Sequence, residues 1–124
     1  MFFAGLVLSG IAQTADYPRG MYCGGNQIVD EGHIQASSVG ISVVDQTSGE
    51  AMPHARVQLQ PVSHSKILID RYTDKNGRFN LYGLEAGEYW LGSSIAGFNL
   101  HYWRLTISEL YGRKKLVAKL SPGT

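Results

Sequence analysis

Between residues 39 and 120 apolar and polar positions alternate in short runs separated by turn residues, a period of two that belongs to strands. In the run Val39 to Asp45, Val39, Ile41 and Val43 form one face and Gly40, Ser42 and Val44 the other. Ala55 to Gln60 repeats the pattern with Ala55, Val57 and Leu59 facing in. Lys66 to Tyr72 sets Ile67 and Ile69 against Leu68, Asp70 and Tyr72, so both faces carry apolar residues and the buried one stays open. A fourth run turns Phe79 and Leu81 one way and Arg78, Asn80 and Tyr82 the other. Tyr89, Trp90 and Leu91 begin a fifth, which ends before Gly97. Leu100 to Ile107 is the sixth, with Trp103, Leu105 and Ile107 as its apolar side and His101 at its end. Lys115 and Lys119 bracket the seventh, at Leu116, Val117, Ala118 and Leu120. Seven strands with no sustained helical period predict an all-β, antiparallel Greek-key sandwich, because each sheet needs a second layer over its apolar face. Val43, Val57, Leu59, Phe79, Leu81 and Tyr89 are expected to share one core. Alternation sends Trp90 to the face opposite Tyr89 and Leu91, where a partly exposed indole is expected. Such an indole is either covered by the N-terminal arm or offered as a contact surface.

The turns carry their own chemistry. Gln46-Thr47-Ser48-Gly49-Glu50 is polar and glycine-bearing, and Pro53 lacks the N–H that a central strand needs. Asp74-Lys75-Asn76-Gly77 combines an Asp that bonds the backbone two residues on with an Asn-Gly pair suited to positive φ, which predicts a hairpin between the third and fourth runs. Tyr89, entering a strand just after Gly87, has the layout of a tyrosine corner, whose hydroxyl bonds back to the upstream backbone.

Residues 1–12 hold the apolar run Phe2 to Leu8 followed by small residues, the layout of a signal peptide cleaved after Ala12, although no Lys or Arg precedes the run. The run is too short to span a bilayer. Residues 13–38 mix Pro18, Gly20, Gly24, Gly25 and Gly32 with few apolar positions in register, which reads as a linker or loose arm in which Gln27-Ile28-Val29 has room for a short edge strand. Residues 39–124 are then the folded domain. The net charge of +1 supplies no long-range field for nucleic acid. Cys23 alone excludes an internal disulfide framework and reads as a free or intermolecular thiol.

The set Val43, Asp45, Gly49, Pro53, Ala55, Val57, Thr73, Asp74, Gly77, Phe79, Leu84, Gly87, Tyr89 and Gly97-Phe98 resembles the carboxypeptidase regulatory-like domain family, transthyretin-like sandwiches that are also similar to the B-type repeats of collagen adhesins. The resemblance spans about residues 39–122 and departs at His54, where the family usually has glycine. The first strand also lacks the lysine of the adhesin Lys to Asn cross-link. It implies a non-catalytic module of an exported, bacterial protein, secreted, periplasmic or on the cell surface, and it implies neither a metal nor another cofactor.

Taken as chemistry, the residues point the same way. A structural or interaction module acting through sheet edges or loops asks for no special side chains, and its partner is another protein or a cell-surface component. Glycan or small-ligand binding by exposed aromatics is the alternative, with Trp90, Tyr82, Tyr102 and Tyr111 as the contact candidates. His33, His54, His64 and His101 have no mutual motif spacing for catalysis, and Cys23 with His33 is too few ligands for a tetrahedral metal site, so no enzyme activity is expected. Arg113-Lys114-Lys115 reads as a solvated turn.

Overall fold

The computed structural model describes residues 17–123, so the expected leader and its cleavage after Ala12 lie outside the described residues. The strands are β1 (Ile28–Ala36), β2 (Ser38–Asp45), β3 (Arg56–Pro61), β4 (Ile69–Tyr72), β5 (Arg78–Leu81), β6 (Gly87–Ser94), β7 (Leu100–Ile107) and β8 (Arg113–Leu120). They form two sheets, one ordered β1-β7-β6-β3-β4 and the other β5-β2-β8. The described residues contain no helix long and apolar enough to cross a membrane.

The all-β sandwich is as expected, with eight strands instead of seven. The additional one, β1, lies in the segment expected to be a linker or loose arm. It pairs parallel with β7, from Ile28 opposite Leu100 to Ala36 opposite Ile107, with a register shift between Asp30 and His33. That shift, with Gly32 at φ 106°, breaks the alternation of apolar residues and hides the strand from a pattern of period two. A second parallel pair joins β2 to β8, so the sandwich is mixed and not wholly antiparallel.

The core lies between the sheets. Val39, Ile41 and Val43 of β2, Val57 and Leu59 of β3, Leu81 of β5, Tyr89 and Leu91 of β6, Trp103, Leu105 and Ile107 of β7, and Ala118 and Leu120 of β8 are buried in one cluster. Phe79 is half-buried against it, so the expected shared core holds with that ring at its margin.

The Asp74–Gly77 turn does form, but it joins strands of different sheets. Gly77 N–H donates to Asp74 O at 2.9 Å and Asp74 N–H to Arg78 O at 2.9 Å, while Asp74 Oδ1 accepts from the N–H groups of Asn76 and Arg78. Yet β4 pairs with β3 and β5 pairs with β2. The expected hairpin is therefore a crossover between layers. Thr73 holds its start: buried, it accepts from Ala55 N–H at 2.9 Å and donates to Met52 O at 2.7 Å. Gly77, at φ 74°, holds its end, because its carbonyl accepts from Val43 N–H at 2.7 Å and a Cβ there would stand 2.8 Å from Val43 O. The return crossover, from β5 to β6, closes with Tyr89 Oη donating to Glu85 O at 2.6 Å, the tyrosine corner expected from the sequence.

Candidate functional site

The four aromatic candidates separate. Trp90 and Tyr102 meet edge to face, with centroids 5.6 Å apart, and both are buried. Trp90 does leave the main core on the face opposite Tyr89 and Leu91, but it is only 4% exposed, which corrects the expectation of a partly exposed indole. The reason is a second apolar cluster on the outer face of the five-stranded sheet, in which Met21 of the arm joins Val62, Trp90, Leu100 and Tyr102. Tyr22 N–H donates to Gln58 Oε1 and Gly24 N–H to Ser94 Oγ, tying the arm across the sheet. Arg104 lies 5.1 Å over the indole and is held by Glu88. Tyr82 is 74% exposed just after β5, and half-buried Tyr111 lies in the loop before β8, where its hydroxyl accepts from Gln35 Nε2.

Two concave surfaces flank β8, and the candidate Tyr111 lines one of them. Arg113, Lys114 and Lys115 are the first residues of this strand and not a turn; with Lys119 they put four cations in eight residues. On one flank β8 borders a cleft of about 580 Å³ lined by Ile34 and Gln35 of β1, Leu110, Tyr111, Lys114 and Leu116 among others. On the other it walls a trough of about 510 Å³ over the outer face of the small sheet. Gly40 and Ser42 of β2 floor that trough, with Arg78 and Asn80 of β5 on one side and Lys115 and Val117 of β8 on the other, in register. Arg113 lies across Gly40, where its Nη2 donates to Asn80 Oδ1 at 2.8 Å and would meet a Cβ at the same distance. The small floor is thus what lets a guanidinium bridge β8 to β5. At the trough's end Asp74 is held below the usual carboxylate range by the Arg78 and Asn76 N–H groups. The sequence signal for this surface was three successive cations entering a strand, with a fourth at Lys119.

A second polar cluster lies near the far end of β8. His101, 2% exposed, has Nδ1 2.6 Å from Glu31 Oε2 and Nε2 2.8 Å from Ser121 Oγ. The Ser121 N–H donates to Nε2 at 3.0 Å, so that nitrogen accepts and Nδ1 carries the hydrogen facing Glu31. Asn99 Nδ2 donates to Ser121 Oγ at 3.1 Å. Among the described residues no three His, Cys, Asp or Glu side chains are grouped to hold a metal ion.

These features define a transthyretin-like β-sandwich with a basic strand at one edge. No protein-family model and no curated protein matches the chain. Among solved structures it is similar to a Klebsiella pneumoniae 5-hydroxyisourate hydrolase, at 19% identity and TM-score 0.55 over 71% of this chain and 87% of that one. It is also similar to a group B streptococcus pilus 2b backbone protein, at 15% identity and TM-score 0.56 over 72% of this chain and 42% of that one. A DUF3823 family protein from Bacteroides uniformis matches at 21% identity and TM-score 0.52 over 69% of this chain and 43% of that one. The chain therefore spans less than half the length of the latter two. At these identities the likeness is one of fold.

Proposed function

We propose that the chain is a non-catalytic interaction module of an exported protein, of the carboxypeptidase regulatory-like kind, and that it meets another protein through the β8 side of its small sheet. The observation that carries this reading is an open strand edge bearing four cations, with a cavity on each flank. Export is supported by the apolar run at Phe2 to Leu8 and its small-residue boundary. A pilus backbone protein uses the same fold, which is in keeping with a surface-associated role. The hydrolase neighbour lends no activity at its identity. The nearest approach to a catalytic array, Ser121–His101–Glu31, favours a structural role, because Nε2 already accepts the Ser121 N–H and Asn99 occupies the Ser121 hydroxyl. Exposed Tyr82, one residue beyond β5, favours glycan binding as the second reading.

Site-specific photo-crosslinking in the producing cell tests the first reading. A crosslinker at Val117, on β8, should capture an envelope protein, whereas one at Lys75, in the exposed crossover turn, should not. Adducts absent from Val117, or equal at both positions, would overturn it.

A further inference from the structure

The sandwich has four sheet edges among the described residues, at β1, β4, β5 and β8. An edge is a row of free N–H and C=O groups that invites another strand, and folded proteins blunt it by shortness, bulges or charge. β4 and β5 have four residues each. β1 is broken by its register shift at Asp30 to His33. β8 alone is long and straight: eight successive residues pair with β2 without a shift, from Ser38 opposite Arg113 to Asp45 opposite Leu120. Its other side carries no strand.

The side chains along that edge are unfinished in a particular way. Leu110 is 90% exposed at the mouth of the cleft and Val117 53% exposed on the strand. Half-buried Ile34 and Leu116 line the cleft beside Leu110, while Val117 faces the trough on the other flank. Arg113, Lys114, Lys115 and Lys119 have no acidic neighbour within β8, and none of them forms an ion pair among the described residues.

Resting on the interaction reading above, we propose that the partner contributes an extended acidic segment, which adds to β8 as a fourth strand of the small sheet. Alternation then specifies its pattern. Outward positions beside Arg113, Lys115 and Lys119 call for Asp or Glu, and inward positions beside Leu116 call for apolar side chains that also cover Ile34 and Leu110. A second copy of this chain does not meet that requirement. Two β8 edges would set lysines against lysines, and β5 has no acid; of the acid-bearing edges, β4 has four residues with Asp70 already held by Arg56, and β1 is bulged with Glu31 already engaged by His101.

The test uses the full chain with three probes: a blocked peptide of alternating glutamate and valine, its lysine-for-glutamate counterpart, and a heparin oligosaccharide. Amide hydrogen exchange is followed across residues 113–120. The acidic peptide should slow exchange at alternate β8 amides by about tenfold or more. Its affinity should fall about tenfold in K114E/K115E, whose altered side chains are exposed, and should weaken further between about 50 and about 300 mM salt. Equal binding of the lysine peptide, or binding with no protection in residues 113–120, overturns the proposal. Protection by heparin alone also overturns it and assigns the cations to an anionic glycan. Self-association of K114E/K115E, while the wild type ignores the acidic peptide, overturns it in favour of lysines that merely guard the edge. A Val117 crosslink that persists in the cell alongside any of these failures leaves the interaction reading standing, whereas its loss removes both.

Discussion

Removing one oxygen from Tyr89 tests how the chain crosses from the small sheet to the large one. The ring is 7% exposed in the main core, and its hydroxyl donates to Glu85 O at 2.6 Å across the loop between β5 and β6. Tyr89→Phe keeps the ring and deletes only that bond. Because Glu85 is exposed, water can reach the carbonyl left behind, so the loss stays near the net value of a hydrogen bond, about 1 kcal/mol. For a domain of this size that corresponds to a fall in Tm of about 4–8 °C. A second readout separates the hydroxyl from general damage. Burial, and secondarily the Glu85 charge, hold the Tyr89 hydroxyl above its ordinary value of 10.0. Above that pH the unfolded chain releases this proton while the folded chain keeps it, so wild-type stability falls as pH rises through the folded value. Tyr89→Phe lacks this dependence, and its deficit should shrink between about pH 7 and about pH 11. Thermal melts at several pH values measure both, with Tyr82→Phe, at a 74% exposed position, as the control. A Tyr89→Phe chain that melts with the wild type at neutral pH, or whose deficit is the same at alkaline pH, would refute the corner.

Three further substitutions probe other joints. Gly77→Ala puts a Cβ 2.8 Å from Val43 O at φ 74° and should cost about 2 kcal/mol or more in urea unfolding; a loss below half of that would show that the crossover can shift. Asp70, bound through both oxygens to Arg56 at 2.9 Å, is held below the ordinary carboxylate range chiefly by that hydrogen bond. Its stabilisation is present above the unfolded value of 3.8 and is lost as pH falls through the lower folded value, so Asp70→Asn should flatten the acid limb of stability. At neutral pH the cost is only about 0.5 kcal/mol, since both side chains remain partly in solvent, and an acid limb of unchanged slope would count against the pairing. Met21→Ala should uncover Trp90, shifting its fluorescence to the red at a cost of about 2 kcal/mol, and an unmoved spectrum would show that the arm is not its cover.

Where the sequence was legible, local chemistry and burial agreed. Leu100–Ile107 is a strand with Trp103, Leu105 and Ile107 in the core, and Ala55, Val57 and Leu59 are fully buried, as alternation requires. His54, where the resemblance leads one to expect glycine, is the one non-glycine residue among those described with positive φ, at 60°, a conformation that glycine adopts without strain. What escaped was long-range. A turn fixes the direction of the chain but not the sheet its next strand joins, so Asp74–Gly77 looked like a hairpin when β4 and β5 lie in different layers. The bulge in β1 broke the period that would have marked it. Trp90 was assigned its face correctly, and cover by the N-terminal arm was one of the two readings offered for it, but that Met21 supplies the cover, 69 positions away, no local pattern encodes. The cations of β8 were visible as residues, but their placement on an open edge beside two cavities depends on which strand ends the sheet.

The buried histidine belongs to this same geometry. His101 on β7 grips Glu31 of β1 through Nδ1 and Ser121, the residue after β8, through Nε2. Asn99 completes the clasp, donating to Ser121 Oγ and Pro122 O and accepting from Gln27 N–H through Oδ1. Three strands are thereby joined at one end, and two of them, β1 and β8, supply Ile34 and Leu116 to the facing walls of the cleft. A cleft between two sheet edges closes or splays easily, since no ladder of hydrogen bonds spans it. Here one end is fixed by the clasp, in which His101 and Asn99 are buried, and the other by Ser37 N–H donating to Gly112 O at 3.0 Å and Gln35 Nε2 donating to the Tyr111 hydroxyl, while Leu110, Lys114 and Lys115 stay exposed along the rim. The Ser121–His101–Glu31 array thus ties β1, β7 and the residue after β8 together at one end of the edge on which the proposed strand addition rests.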